Sequence, residues 1–307
     1  MPAADAVESL RSWTSIAGVG LRELAAGKIS TSSNASMDLD RGMSCQAVFL
    51  VNAPVATTFQ ALMKFNPTRH PDLDVFQQHV FSGEQDSGFD KLRVDAKAAA
   101  SAALIRGLRD ASVLQLAKRE VALIPKESTA EAAQRFLSGI LSERWTRFSK
   151  NGELGGVATF DAGSELRSLL GEESKVAGHF GPLLAPTKAK GAPGTPKYFY
   201  WDLSTVDKKS AVQLGAVYTT ETKEGRQILD ITYYSSSGYL VALTLYEMLP
   251  VSLDGREQTL VWQGSMVTAT GVAGGFGIKR KIGSRMMLGD VEKWIRIFRQ
   301  EAENAAR

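Results

Sequence analysis

Residues 284–303, SRMMLGDVEKWIRIFRQEAE, decide the fold. Met287, Val291, Trp294, Ile295, Phe298 and Ala302 recur at helical spacing and form one apolar face about a hundred degrees wide. Directly before this terminal helix the chain is rich in strand signals. KYFYWDLSTV, SAVQLGAVYTTET, RQILDITYYSS, GYLVALTLYEML and QTLVWQGSMVTAT are five strand candidates. Asp207-Lys208-Lys209, Glu224-Gly225, Ser237-Gly238 and Asp254-Gly255 separate them. Strands joined by turns this short form an antiparallel meander. A sheet that curls around a final helix encloses a cavity, so the pattern predicts a pocket.

Upstream, Met43, Cys45, Ala47, Phe49 and Val51 alternate along a strand over 43–52. Asn52-Ala53-Pro54 then opens a helix, with Pro54 near the first helical position, where its missing N–H costs nothing. Val55, Phe59, Leu62 and Met63 are its apolar face, and Leu73–Phe81 reads as a second strand. Both faces of the 43–52 strand are too apolar for a free edge, so it is expected to pair with the last third of the chain.

The middle has another character. DAKAAASAALIRGL is helical by propensity. Val113–Ile124 fits either helix or strand, and Thr129–Ser149 carries Phe136, Leu137, Ile140, Leu141, Trp145 and Phe148 at the 3.6-residue period. Ser164 is placed to cap a short helix over 164–170. Pro182–Pro196 has a linker's composition, and Gly271–Gly283 a glycine-rich connection into the last helix. Residues 5–26 read as one N-terminal helix, and Thr31–Asp40 as a loop or edge strand. The organisation is therefore an N-terminal helix and loop (1–42), a strand–helix–strand (43–88), a helical insertion with its linker (89–196), and a meander with the C-terminal helix (197–307). The fold class is α+β: a curved antiparallel sheet gripping a long C-terminal helix, with a helical insertion.

Composition narrows the function. The chain has 307 residues, 44% hydrophobic and 22% charged, as in ordinary globular proteins. A net charge of +3 with no basic stripe and no known module argues against nucleic acid. The densest basic cluster, Lys279, Arg280 and Lys281 with Arg285 nearby, reads as a solvated turn; contact with an anionic ligand or membrane surface is the functional alternative. No apolar run is long enough for a transmembrane helix. MPAADAVESL lacks the basic start and apolar middle of a signal peptide; its small residues before an acidic helix opening are what a chain exported and trimmed of its signal would carry, and the cytosol fits as well. Cys45 is the one cysteine, so no internal disulfide forms, and its apolar run marks it as a packing residue.

No residue cluster announces a reaction. His70, His79 and His179 are the only histidines and share no metal-ligand spacing, so no metal and no cofactor are expected. G-x-S-x-G is missing. Gly271-Val-Ala-Gly-Gly-Phe-Gly-Ile-Lys-Arg matches neither phosphate-loop pattern and follows a meander. Carboxylates on strands are the remaining chemistry. Asp230 lies between Leu229 and Ile231, and Glu247 between Tyr246 and Met248. Such residues ordinarily point to solvent; turned inward, they have raised pKa values and act as proton donors. The pocket wall is expected to include Tyr246, Trp262, Met266, Met287 and Trp294, with Phe298 behind them, because Tyr and Trp combine apolar area with a polar tip.

The layout of MSCQAVFLVNAPVATTFQALMKF at the front and the strands plus SRMMLGDVEKWIRIFRQEAE at the back resembles the helix-grip fold of START-related lipid-transfer domains, polyketide cyclases and plant hormone receptors. The resemblance covers about half of the chain, and residues 89–185 have no counterpart in a minimal helix-grip domain. It implies a cavity between sheet and helix that binds or carries an apolar small molecule or lipid. It implies no common catalytic residues. An enzyme of cyclase or hydrolase type, using an inward Asp, Glu or Tyr, is the second reading. A protein-interaction module working through the helical insertion is the third. A buried carboxylate paired with Tyr or His favours the enzyme; an exposed apolar patch on 129–148 favours the module.

Overall fold

The computed structural model describes residues 3–16, 18–34, 39–81, 88–108, 114–157, 160–184, 196–206, 209–269 and 278–307. Its strands are β1 (Ser30–Asn34), β2 (Gly42–Val51), β3 (Val75–Phe81), β4 (Gly156–Val157), β5 (Phe160–Asp161), β6 (Tyr198–Val206), β7 (Lys209–Glu221), β8 (Arg226–Ser235), β9 (Val241–Leu253) and β10 (Arg256–Thr268). Its helices are α1 (Ala3–Trp13), α2 (Leu21–Ala25), α3 (Val55–Met63), α4 (Ala99–Gly107), α5 (Lys118–Val121), α6 (Ala130–Asn151), α7 (Ala162–Glu172), α8 (Ser174–His179) and α9 (Ile278–Ala305).

Eight strands form one curved, unclosed antiparallel sheet in the order β1-β2-β10-β9-β8-β7-β6-β3. β6 to β10 are the predicted meander. The β9–β10 hairpin turns at Asp254-Gly255, both with positive φ (51° and 74°), a geometry whose twist matches that of the flanking strands. β2 pairs with β10 from Thr259↔Val51 to Thr268↔Gly42, so the early strand does join the last third. β3 pairs with β6 at the opposite edge. The segment between β2 and β3, including α3, therefore spans the sheet.

Each face of the sheet carries a layer. On one lie α3 and α9, around Phe49, Val261, Met248, Ile228, Phe59 and Phe298. On the other lie α1 and the helical insertion. There Leu203, Leu214, Leu229, Leu243, Leu245 and Trp262 meet Phe136, Leu137, Leu141, Trp145 and Phe148 of α6. α6 begins at Thr129, whose hydroxyl accepts from the Ala132 N–H (3.2 Å). Its apolar stripe is buried against the sheet.

Local structure departs from expectation in four places. The N-terminal helix is broken, with α1 and α2 separated by a segment containing Gly18 at φ 71°. Asp161, not Ser164, caps α7: its carboxylate accepts from the Ser164 N–H (2.7 Å). Val113 lies outside the described residues, and within 114–124 only the single turn α5 is regular, set by Glu120 accepting from the Ala117 N–H (2.6 Å). The final helix starts at Ile278, so Lys279, Arg280 and Lys281 belong to its first turn rather than to a loop. Gly271–Gly277, most of Pro182–Pro196 and the Asp207-Lys208 turn lie outside the described residues.

Candidate functional site

The α9 face of the sheet changes polarity along its strands. One end is apolar. There Phe298 meets Phe49 edge-on at 6.4 Å and stacks with Trp294 at 4.9 Å, which in turn lies 5.7 Å from the Tyr246 ring. Bonds that tie α9 to the rest gather in its C-terminal half: Glu303 accepts from the Asn52 N–H (3.1 Å), Glu301 pairs with His70 (2.7 Å), and Arg299 donates to the Gly27 carbonyl (2.8 Å).

Beyond Tyr246 the floor becomes polar. Cross-strand register puts Tyr198, Val217, Asp230, Thr244 and Ser265 in one row across β6 to β10. The next row is Tyr200, Gly215, Thr232 and Ala242. Asp202 pairs with Gln213 in the row after that. Asp230, Ala242 and Thr244 are half-buried although their strands are central, whereas Val241, Leu243 and Leu245, which face the other way, are buried. A central strand can be wetted on one face only where the covering layer stands away from it. Around Asp230, Ala242 and Thr244 the α9 face is less fully covered than its apolar end, and this part of the face is termed the recess.

Its polar groups are organised. Tyr200 lies across Gly215, where an added Cβ would come within 2.0 Å of the ring, so the position requires glycine. This places the Tyr200 hydroxyl 3.1 Å from Thr232 Oγ1 and 2.8 Å from Asp230 Oδ1, to which it donates. Tyr239 donates to Gln213, whose amide donates to Ser204, at one end of the recess. Asp202 Oδ1 is buried without a hydrogen-bond partner among the described residues, and so is Gln263 Oε1. Burial pushes the carboxyls of both Asp230 and Asp202 up to about 7. The Tyr200 hydrogen bond acts against this at Asp230, while at Asp202 the Ser204 hydroxyl acts against it and the charge of Asp230 adds to it. Burial also lifts the Tyr198, Tyr200, Tyr239 and Tyr246 phenols, with Asp230's charge adding to it. The recess can therefore donate protons and bind donors near neutral pH.

The six residues expected to share one wall do not. Tyr246, Trp294 and Phe298 come together on the α9 face. Met287, half-buried, precedes Trp294 by two helical turns on the same side of α9. Trp262 and Met266 lie on the opposite face of the sheet. The reason is register: Tyr246 pairs with Gln263, so Trp262 pairs with Glu247 and points the other way. Trp262 is packed there edge-on to Trp13 at 4.7 Å, with its indole N–H donating to Gln46 (3.3 Å).

Glu247 also points inward, on that second face. It accepts from Gln227 (2.8 Å) and pairs with His179 (2.9 Å), whose ring stacks on Trp13 at 3.9 Å. The same layer holds the buried pair Glu120–Arg144 (2.7 Å), with the guanidinium 4.0 Å above the Tyr234 ring. Cys45 is buried, its thiol pushed up to about 12 by burial, which leaves it no thiolate for chemistry. Among the described residues no group of three or more His, Cys, Asp or Glu is placed to hold a metal ion, and no helix is long and apolar enough to cross a membrane. No protein-family model matches the chain, and no curated protein matches it.

Proposed function

We propose that the protein binds a small organic molecule in the recess between the sheet and α9, as a member of the helix-grip superfamily would. Support comes from Asp230, Thr244 and Ala242, which are half-buried on the α9 face of central strands whose opposite face is buried. The lining argues for an amphiphile rather than a wholly apolar lipid. Its carbon skeleton lies against Tyr246 and Trp294, and its polar end meets Asp230, Asp202 and Tyr200. A pure hydrocarbon would leave Asp202 Oδ1 desolvated without a partner, at a cost of about 1–3 kcal/mol. Native mass spectrometry of freshly purified protein tests this. A co-purifying mass that is lost in Thr244→Trp, which fills the recess, is the expected result. Absence of any adduct, with no thermal shift from any amphiphilic probe, contradicts it.

The Thr232–Tyr200–Asp230 chain favours a second reading, an enzyme on the same scaffold. A carboxyl protonated near neutral pH, aligned by a phenol, is a general acid for a carbonyl or leaving-group oxygen. Asp230→Asn would then abolish turnover while leaving ligand binding within about tenfold. The third reading, an interaction module using the helical insertion, loses its motivating feature because the α6 stripe is already buried.

A further inference from the structure

The recess holds two carboxylates and a surround of aromatic rings, and this combination has a ligand class. Asp230 and Asp202 both face it, close enough that the charge of one acts on the other. Among the described residues, Tyr200 acts on Asp230, and Ser204 and the charge of Asp230 act on Asp202; none of these is a cation. The surrounding titratable groups are the phenols of Tyr198, Tyr200, Tyr239 and Tyr246. Asp202 is nine-tenths buried, and its Oδ1 has no partner among the described residues. A protein that kept this pair only for packing would be more stable at alkaline pH with Asn there, since a buried carboxylate without a counter-charge costs free energy once it is ionised. At the apolar end of the recess the Tyr246 and Trp294 rings lie against each other, 5.7 Å apart at 45°, as an aromatic wall.

We propose that the recess selects a small organic ammonium ion, its charge held by Asp230 and Asp202 and its carbon skeleton packed against Tyr246 and Trp294. The proposal rests on the recess being a ligand site and adds the sign of the ligand's charge. A bound cation supplies the counter-charge that no described residue places beside the two carboxylates. Near pH 6 these carboxyls are largely protonated, so taking up a cation must expel a proton. A neutral ligand of the same shape expels none.

The test is isothermal titration of the intact protein with phenethylammonium chloride and with its neutral counterpart, 2-phenylethanol. At about pH 6 the ammonium should bind at least about tenfold more tightly than the alcohol and release close to one proton. Proton release is read from runs in two buffers of different ionisation enthalpy. Asp230→Asn and Asp202→Asn should each cost the ammonium about tenfold or more and cost the alcohol markedly less, with cooperative melting retained. Equal affinity for the two probes, no proton release, or ammonium binding unaffected in both variants would overturn the proposal. If the alcohol binds as well as the ammonium and Thr244→Trp removes both, the ligand site stands and only the charge preference falls. If neither probe binds and no mass co-purifies, both readings fall.

Discussion

The two faces of the sheet differ more than their shared strands suggest. Odd-numbered residues of β9 (Val241, Leu243, Leu245) point into the helical insertion and are fully buried, while their even-numbered neighbours Ala242 and Thr244 are wetted. The insertion face is closed by interdigitating aromatic and aliphatic side chains, with polar islands around Arg144 and around Glu247. The α9 face is closed at one end, where Phe298, Phe49 and Phe59 fill it, and polar at the other. One layer is built to hold the sheet together. The other is anchored through the C-terminal half of its helix and leaves Asp230, Ala242 and Thr244 only half-covered. A domain that folds around one core can thus spare part of its second face, because the insertion supplies burial that a minimal domain must draw from its own terminal helix.

The largest effect should follow removal of the α9 layer. Deleting 284–307 strips Ile295, Phe298 and Ala302, all wholly buried, from the apolar end. Each large side chain contributes about 1.5–3 kcal/mol, so the truncated chain is expected to be molten or insoluble. A soluble product with a cooperative melt would break the account. On the insertion face, Trp262→Ala should cost about 3–5 kcal/mol in denaturant unfolding and leave ligand binding in the remaining folded protein unchanged. A mild loss of stability with weakened binding would instead return Trp262 to a pocket wall. Arg144→Ala leaves Glu120 charged and buried without its partner, and should cost about 3–5 kcal/mol, against about 0–1 for breaking the exposed Lys28–Glu23 pair.

The smallest effect carries a sign. The native Asp202 and Asp230 carboxyls are held at about 7, above the ordinary carboxylate range. The folded state therefore binds their protons more tightly than the unfolded chain. Stability from these groups is fully present below about pH 4 and is lost as pH rises through about 7. Asp202→Asn should flatten that slope and gain on the order of 1 kcal/mol at alkaline pH. Thermal melts across the range read both; a variant less stable than the parent at high pH would contradict the assignment.

Much of this was legible in the chain. The meander, its turns, the terminal helix and the pairing of 43–52 with the last third all follow from period and punctuation, because each is a local signal repeated several times. The site was less so. A strand's alternation says which residues share a face, but not which layer covers that face. Tyr246 and Trp262 each sit on a consistent face of their own strand, and only the register Gln263↔Tyr246 places them on opposite sides. Asp230 and Glu247 have the ordinary appearance of outward residues, and in a sheet covered on one side one of the two would be. Here the helical insertion turns both faces inward, which buries Glu247 against His179 and sets Asp230 beneath α9. The signal that would have found them is the near-continuous apolar run around each, ILDITYY and TLYEML, which marks strands covered on both faces.

Thiol labelling of two adjacent positions tests the central claim, one sealed face and one receptive face, most directly. Thr244→Cys and Leu245→Cys place a sulfhydryl on opposite sides of β9, and native Cys45, buried with its thiol pushed up to about 12, serves as the unreactive background. In the folded protein, a small methanethiosulfonate reagent should modify Cys at 244 readily and Cys at 245 only on unfolding, and a bound ammonium ligand should protect 244. Equal rates at the two positions, or a 244 thiol as inert as Cys45, would contradict the account.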